Sequence, residues 1–274
     1  MSSAADPIPP PLVPKDSLRA RRFASLRTVA ALMLREMSTR YGRSPGGYVW
    51  AVLEPLGMII MLAIAFSLLV HSPPLGTSFI LFKATGLLPF MLYGTVANMV
   101  GRAIQFSRPL LFYPGVTWMD AILARFLLNA LTSVLASYLI LTGILWYTGT
   151  RTVIDMGPVA LSMSLAAALG LGVGCLNCYL FLQYPLWDQA WGILTRPLMI
   201  ASGVLFLYED MPMLAREILW YNPLVHVTGL MRVGFYPMYY GDYISVLYVL
   251  VWALVPMVLG LMLLRRHHKT LLNL

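Results

Sequence analysis

The stretch TRYGRSPGGYVWAVLEP, Thr39–Pro55, joins a basic, glycine-containing segment to a long apolar run. The run extends from Tyr48 to Val70, and Glu54 is its single charged residue. Its length suits a helix that crosses a hydrocarbon core about 30 Å thick, which takes about 20 apolar residues. The stretch therefore predicts a transmembrane helix with cations at its mouth and one carboxylate about a turn inside.

Similar apolar runs recur along the chain. Hydrophobic residues make up 59% of it, charged residues make up only 11%, and the mean hydropathy is +0.75. A soluble domain carries about 25% charged residues, so these values exclude a soluble protein. We expect an all-α integral membrane protein with six transmembrane helices. The predicted spans are Tyr48–Val70, Phe79–Gly101, Trp118–Tyr147, Pro158–Leu182, Ala190–Tyr208 and Tyr243–Leu264.

The basic residues predict the topology. With the N-terminus inside, fifteen of the 19 Lys and Arg residues fall on the cytoplasmic side of the predicted spans and four on the opposite side. Because cytoplasmic loops carry the excess of Lys and Arg, both termini are expected in the cytoplasm. The net charge of +8 reflects this placement near anionic lipid, so no nucleic-acid partner is expected. The polar, proline-rich residues 1–17 predict a disordered cytoplasmic leader rather than a cleaved signal.

Residues 18–40 predict an amphipathic helix in the cytoplasmic membrane interface. At 100° per residue, its apolar side chains fall on one arc, and Leu32 breaks this pattern. The helix either only anchors the chain or also receives a cytoplasmic partner. The residues of the arc are Phe23, Leu26, Val29, Ala30, Met33, Leu34 and Met37.

Two connections carry more apolar character than ordinary loops. Residues 102–116 are basic and aromatic, with prolines that suit a helix start and stop, so they predict either a short cytoplasmic helix or a plain basic loop. Residues 209–242 on the outer side predict two short helices, near Met213–Trp220 and Leu224–Phe235. Non-helical backbone at membrane depth must be buried in protein or line a watery cavity. The outer segment is therefore either a re-entrant gate or a cap with no moving part.

Charged residues inside predicted spans are the strongest functional signal, because an Arg, Lys or Asp at mid-span costs about 2.5–3.5 kcal/mol. Lys83 and Arg125 lie near span ends, where their side chains are expected to snorkel to the interface. Glu54 and Arg196 each lie about a turn inside on the cytoplasmic side. Glu54 is expected to pair with Arg196 or with one of the two arginines in the opening stretch.

The fourth predicted span offers packing rather than chemistry. Ala166, Gly170, Gly174 and Cys178 form a row of small residues at spacing four, which allows close helix packing in lipid. Cys175 and Cys178 form a C-x-x-C pair without a soluble redox fold, so no redox or metal site is expected. The chain also lacks a phosphate-binding loop and a hydrolase motif. We therefore expect no catalytic residue, no metal site and no bound cofactor.

Three stretches resemble one known family. TRYGRSPGGYVWAVLEP, RPLMIASGVLF at Arg196–Phe206 and NPLVHVTGLMRVGFYP at Asn222–Pro237 are similar, in the same order, to segments in membrane subunits of type-2 ABC exporters of bacterial capsular polysaccharide. The resemblance extends from about Arg19 to Leu264. It implies a six-helix ABC transporter domain over residues 41–274 in the inner membrane.

The resemblance also implies partners and roles. Two copies of the chain would form the pathway for a lipid-linked acidic polysaccharide, above a dimeric ABC ATPase that binds ATP and Mg. A periplasmic adaptor and an outer-membrane channel would receive the cargo. The candidate pathway residues are Arg40, Tyr41, Arg43, Trp50, Glu54, Arg125, Arg196 and Arg232. The candidate residues that meet the ATPase are Arg27, Arg35, Arg102, Phe106, Arg108, Leu110 and Phe112. The candidate gate residues are Trp220, Asn222, Pro223, His226 and Tyr236.

Other functions remain open from the residues alone. The same scaffold could export O-antigen, teichoic acid or another lipid-linked glycan. A membrane-bound glycosyl- or acyltransferase would need a catalytic set near the surface, and the chain's Asp and His residues are too scattered to form an evident one. A purely structural scaffold would leave the embedded charges and the outer segment unexplained.

Overall fold

The computed structural model describes residues 24–40, 46–70, 72–113, 115–149 and 153–272. Every regular element in these ranges is helical, which confirms an all-α chain. The predicted leader, residues 1–17, lies outside the described residues. The helices are α1 (Ala24–Arg40), α2 (Gly47–Leu69), α3 (Phe79–Gly101), α4 (Ala103–Ser107), α5 (Trp118–Thr148), α6 (Met156–Gln183), α7 (Pro185–Ala201), α8 (Met213–Trp220), α9 (Pro223–Phe235) and α10 (Val246–Leu272).

Within the described ranges, five helices are long and apolar enough to cross a membrane, namely α2, α3, α5, α6 and α10. They match five of the six predicted spans to within a few residues at most ends; α10 extends further, from Val246 to Leu272. Uninterrupted apolar runs of this length form helices in lipid because only a helix satisfies every backbone hydrogen bond within one segment. Hydropathy alone was therefore sufficient to place these five.

The fifth predicted span, Ala190–Tyr208, differs from the structure. Helix α7 begins earlier, at Pro185, and ends at Ala201. The following residues are not helical, and Gly203 has a left-handed backbone with φ of 70°, which glycine adopts at little cost. Two buried cations bind the carbonyl groups of this segment, as described below, and these bonds offset the lost helical hydrogen bonds.

Helix α6 lies at the centre of the bundle, between α3 and α10. A Cβ added to Gly174 would lie 2.7 Å from Cβ of Val100 on α3. A Cβ on Gly172 would overlap the carbonyl oxygen of Ala253 on α10. The expected close packing of the small residues of α6 is therefore confirmed, and it occurs on two faces of the helix.

The bundle has two distinct ends. The α1 end contains α1, α4, the beginnings of α2, α5 and α7, and the last turns of α3, α6 and α10. The α9 end contains α8, α9 and the opposite ends of the long helices. Helix α7 connects them: Asp188 in its first turn bonds Arg102 at the α1 end, while Ala201 at its last turn bonds Asn222 at the α9 end.

Helix α1 packs on α5 through a face that overlaps the predicted arc only in part. Val29, Leu32 and Glu36 are buried, whereas Leu26 and Leu34 are 65% and 66% exposed. Leu32, which breaks the predicted arc, belongs to the buried seam. The reason is that α5 covers a narrow i, i+3, i+7 stripe, and the hydrophobic arc of a single helix cannot show where a neighbouring helix lies.

Candidate functional site

The α1 end is organised around Arg125. Its Nε donates a hydrogen bond to Glu36 Oε2 at 3.2 Å, and both side chains are buried. Its Nη1 donates to the Met99 carbonyl at 3.1 Å, and its guanidinium lies 4.1 Å from the centroid of the Phe106 ring. Arg125 therefore does not snorkel. It joins α1, α3, α4 and α5, because Glu36 supplies a carboxylate within the bundle.

Two acids at this end were missed as linking residues. Glu36 lies seven residues after Val29 on the same face of α1, which was the available signal. Asp120 and Thr117 form a capping box at the start of α5, and the Ser25 hydroxyl also donates to Asp120. The T-x-x-D pattern before an apolar run could have identified Asp120 as a cap. Both acids tie α1 to α5.

The connection after α3 forms the short helix α4 and a 3-10 turn at Arg108–Leu110, as one of the two sequence interpretations predicted. Ala103, Ile104 and Ser107 anchor it in the bundle. The Arg35 guanidinium lies 5.8 Å from the Phe106 ring centroid, so α1 and α4 meet at this ring.

The remaining residues predicted to meet the ATPase lie at different depths. Leu110 packs against the small apolar cluster that Val29 and Leu32 form, and Arg108 is half-buried. Arg27 is exposed and Phe112 is 67% exposed. These residues all lie at the α1 end, where Arg27 and Phe112 are exposed. Their contact with another protein stays a prediction.

Arg102 fastens a different part of this end. Its Nη2 lies 2.6 Å from Asp188 Oδ1 on α7, and its guanidinium is 5.4 Å from the Phe181 ring centroid on α6. Both partners of the ion pair are more than a third exposed, so the pair contributes little to stability, about 0–1 kcal/mol. It fixes the start of α7 beside the end of α3.

The α9 end holds two buried cations on the non-helical segment after α7. Arg232 is 1% exposed and donates to the carbonyl groups of Gly203 at 2.7 Å and Phe206 at 3.1 Å. Lys83 is also 1% exposed, so it does not snorkel, and its Nζ donates to the Leu205 carbonyl at 2.8 Å. The two cations bind the backbone groups that the break in the helix leaves unpaired.

Aromatic rings complete both cation sites. The Lys83 ammonium lies 3.4 Å from the Phe66 ring centroid, and the Arg232 guanidinium lies 4.3 Å from that of Phe82. A cation over a ring face in a dry site gains about 2 kcal/mol or more. Sequence inspection placed Lys83 at a span end and Arg232 in the outer segment, but not on a shared stretch of backbone.

The outer segment forms two short helices, α8 and α9, close to the predicted positions. Asn222 caps α9, because its Oδ1 accepts from the Leu224 N–H, and its Nδ2 donates to the Ala201 carbonyl at 2.9 Å. Pro223 occupies the first turn of α9. Tyr236 follows the helix and is buried. These contacts fix α9 against the end of α7.

His226 is the polar centre of this segment. It is 1% exposed, its Nε2 bonds the Trp220 carbonyl at 2.9 Å, and its Nδ1 accepts from the Ser245 N–H at 3.2 Å. Burial lowers the pKa of the imidazole below its ordinary value of 6.5, so the ring is neutral at pH 7. Neutral His226 joins α8, α9 and the start of α10.

The surface of α2 presents the predicted pathway residues. Trp50 and Glu54 are exposed, and little of α2 is buried within the chain. Arg196 on α7 is exposed as well and forms no ion pair with Glu54. The side chains of Arg40, Tyr41 and Arg43 lie outside the described residues.

Two other candidate pathway residues lie within the bundle. Arg125 and Arg232 are buried and use their guanidinium groups for the internal contacts described above. The structure thus brings Trp50 and Glu54 together on one exposed helix, and it separates both from Arg125 and Arg232. A direct contact of any of these residues with a substrate stays a prediction.

Comparisons with known proteins agree over nearly the whole chain. The model of the ABC-2 type transporter family matches residues 27–236. Polysialic acid transport protein KpsM of Escherichia coli is 33% identical over 247 residues, which cover 90% of this chain and 95% of that protein. The capsule polysaccharide export inner-membrane proteins CtrC of Neisseria meningitidis serogroup B and BexB of Haemophilus influenzae are 26% and 28% identical. Each of these two alignments covers 89% of this chain and 92% of the relative.

Proposed function

The chain belongs to the ABC-2 type transporter family. We propose that it is the permease subunit of an exporter that carries a capsular polysaccharide across the inner membrane. The observation that carries the proposal is its near full-length similarity to three proteins named for polysialic acid transport or capsule polysaccharide export. Five long apolar helices agree with a multi-pass protein of that membrane.

We propose that the chain crosses the membrane six times, with the α1 end in the cytoplasm. Helix α7 has 17 residues, which span about 26 Å at 1.5 Å per residue. The non-helical residues after Ala201 would complete the crossing, because Arg232 and Lys83 satisfy carbonyl groups that lipid could not. The excess of Lys and Arg on the α1 side supports the orientation.

ATP hydrolysis is assigned to a separate dimeric ATPase that holds ATP and Mg, since this chain lacks a phosphate-binding loop. We place its docking surface at the α1 end, on exposed Arg27 and Phe112 and on the connection around α4. Arg125 supports this surface from inside, because it joins α1 and α4 to two long helices.

The pathway of the polysaccharide is assigned to the surface of α2, where it would lie between this chain and a second copy of it. A carboxylate that faced only lipid would be costly, and Glu54 is exposed on a helix that the chain itself barely covers. A second copy across α2 would enclose a water-filled route for the glycan. Arg40 and Arg43 would bind its acidic groups or lipid headgroup at the cytoplasmic mouth.

At the opposite end, α8 and α9 are assigned as the re-entrant gate. Their hydrogen-bonded contacts with α7 and α10 support this role, because non-helical backbone there is covered by protein. A periplasmic adaptor and an outer-membrane channel would receive the polysaccharide beyond the gate.

Deletion of the gene in its host tests the proposal. We expect a bare cell surface and polymer accumulated inside the cell, and we expect a plasmid copy to restore the capsule. Loss of polymer from both places would contradict export and would favour a membrane-bound transferase.

Complementation with a charge-reversed Arg40→Glu/Arg43→Glu variant tests the cytoplasmic mouth. We expect less surface polysaccharide while the ATPase still co-purifies, because these residues are assigned to cargo rather than to the ATPase. A half-buried arginine on α8 at the other end of the bundle, changed as Arg216→Glu, is the control. Normal capsule in the double variant would overturn the assignment.

A further inference from the structure

A small polar cavity lies between α2, α3 and α5 and is not explained by helix packing. Its volume is about 90 Å³. Its polar lining includes Glu54, Thr95, Asn129, Thr132 and Ser137. Polar groups that line a cavity at membrane depth favour a bound ion or water, because polar groups without a partner in an apolar medium are costly.

Two of the four hydroxyl groups that line this cavity already donate their protons to backbone carbonyl groups. Thr132 Oγ1 donates to the Leu128 carbonyl at 2.8 Å, and Ser137 Oγ donates to the Ser133 carbonyl at 2.8 Å. Each hydroxyl oxygen therefore keeps its lone pairs for another partner. The lining is rich in hydrogen-bond acceptors, and it suits a cation or a donor.

A backbone oxygen on α2 adds to this character. Pro55 lies inside the helix and has no N–H, so the carbonyl of Ala51, four residues earlier, loses its helical donor. Ala51 and Pro55 both line the cavity. Carbonyl groups freed at interrupted helices coordinate Na⁺ in membrane transporters.

Glu54 supplies a negative charge to the same cavity. No described basic side chain forms an ion pair with it, and Arg196, one of its three expected partners, is exposed on α7 and forms no such pair. A nearby positive charge stabilises a carboxylate at membrane depth.

We infer that this cavity binds one monovalent cation of the Na⁺ class. Glu54 is the charged ligand, and the oxygens of Ala51, Thr132 and Ser137 are neutral ligands. A single carboxylate matches a single positive charge, whereas Ca²⁺ sites gather several carboxylates. The volume also leaves room for coordinating water, which needs about 10–15 Å³ for each molecule.

The inference goes beyond the proposed export function, because ion binding does not depend on the cargo. The expectation of no metal site rested on the cysteine and histidine residues. It did not consider a site whose ligands are all oxygen atoms. Bound Na⁺ would neutralise Glu54 within the bilayer and keep α2 against α3 and α5.

Binding of ²²Na⁺ to the full-length chain in lipid nanodiscs tests the inference at constant ionic strength in choline chloride. We expect saturable binding of one ion per chain. Glu54→Gln should weaken it at least about tenfold, which corresponds to 1.4 kcal/mol. Glu217→Gln, which changes an exposed carboxylate on α8, is the matched control and should bind as the unchanged chain does.

A second variant guards against misfolding of the first. Thr132→Val keeps the shape of the side chain and removes one oxygen, so it should weaken binding several-fold, whereas Thr132→Ser should retain it. Absence of saturable binding, displacement by choline as effective as by Na⁺, or unchanged binding in folded Glu54→Gln or Thr132→Val would overturn the inference.

Discussion

The two ends of the bundle treat buried cations differently. At the α1 end, Arg125 meets the carboxylate of Glu36. At the α9 end, Lys83 and Arg232 form no ion pair with a described carboxylate and instead bind the carbonyl groups of the segment after α7. The first arrangement connects separate helices, and the second supports a chain that has left the helical conformation.

The two kinds of partner, a carboxylate and backbone carbonyl groups, differ in how mutation can disrupt them. An ion pair can be broken by removing either partner, so this link between α1 and α5 depends on two side chains. The carbonyl groups at the α9 end belong to the backbone, so only the cations can be removed by mutation. The stability of the predicted gate should therefore depend on Lys83 and Arg232 more than on any acid.

The largest effect is expected from Arg232→Met. Hydrogen bonds to charged groups contribute about 1.5–3 kcal/mol each, so loss of the bonds to Gly203 and Phe206 should cost about 3 kcal/mol or more. The thermal unfolding midpoint in nanodiscs should fall by about 10 °C. Arg196→Met, at an exposed arginine, is the control and should leave the midpoint unchanged. Equal midpoints for both variants would contradict the claim that Arg232 stabilises the non-helical segment after α7.

The next effect is expected at the α1 end. Glu36→Leu leaves Arg125 buried without its carboxylate and should destabilise the attachment of α1 by about 3 kcal/mol, the low end for a broken buried pair, because Arg125 keeps its bond to the Met99 carbonyl. Limited proteolysis should then cleave α1 before the rest of the chain. Combining it with Arg125→Met should recover much of the loss, because no unpaired charge remains. A double variant as sensitive as Glu36→Leu would show that the ion pair is not the link.

Lys83→Met should have a smaller effect than Arg232→Met. It removes one charged hydrogen bond, to Leu205, and the contact with the Phe66 ring, for a cost of about 2 kcal/mol. Lys83→Arg should retain part of this stability. A larger fall in the unfolding midpoint for Lys83→Met than for Arg232→Met would contradict the prediction that Arg232 contributes more to stability than Lys83.

The smallest effect concerns pH at the α9 end. The folded-state pKa of His226 lies below its ordinary value of 6.5, so below that pH the unfolded chain binds more protons than the folded chain. Stability is full above pH 6.5 and falls on acidification, by at most about 1.4 kcal/mol per pH unit. Unfolding midpoints between pH 7.5 and 5 should show this decline, and His226→Gln should flatten it. An identical decline in the variant would assign it to other groups.

Five membrane helices could be predicted because their signal is local. Length and hydropathy alone identify α2, α3, α5, α6 and α10, and the small residues of α6 show its close packing. The break after α7 was not predicted because apolar residues continue from Leu198 through Leu207, and Gly203 alone does not reveal that Lys83 and Arg232 stabilise a non-helical segment.

The site was less predictable because it depends on neighbours in space. Leu32 breaks the arc of an isolated α1 but contacts α5. The role of Glu36 depends on its ion pair with Arg125, which the sequence of α1 alone does not show. Trp50 and Glu54 were identified from their place at the start of a span, and the structure keeps both on the exposed surface of α2. Hydropathy gives the depth of a residue in the membrane, whereas only packing gives its partner.

Co-purification of the ATPase with two matched surface variants tests the division between the ends most directly. Phe112 at the α1 end and Tyr221 at the α9 end are 67% and 68% exposed, so an aspartate at either position disturbs little internal packing. We predict that Phe112→Asp lowers recovery of the ATPase by about tenfold, as expected for an aromatic anchor, while Tyr221→Asp retains it. Full recovery with Phe112→Asp, or an equal loss with Tyr221→Asp, would contradict the assignment of the α1 end to the ATPase.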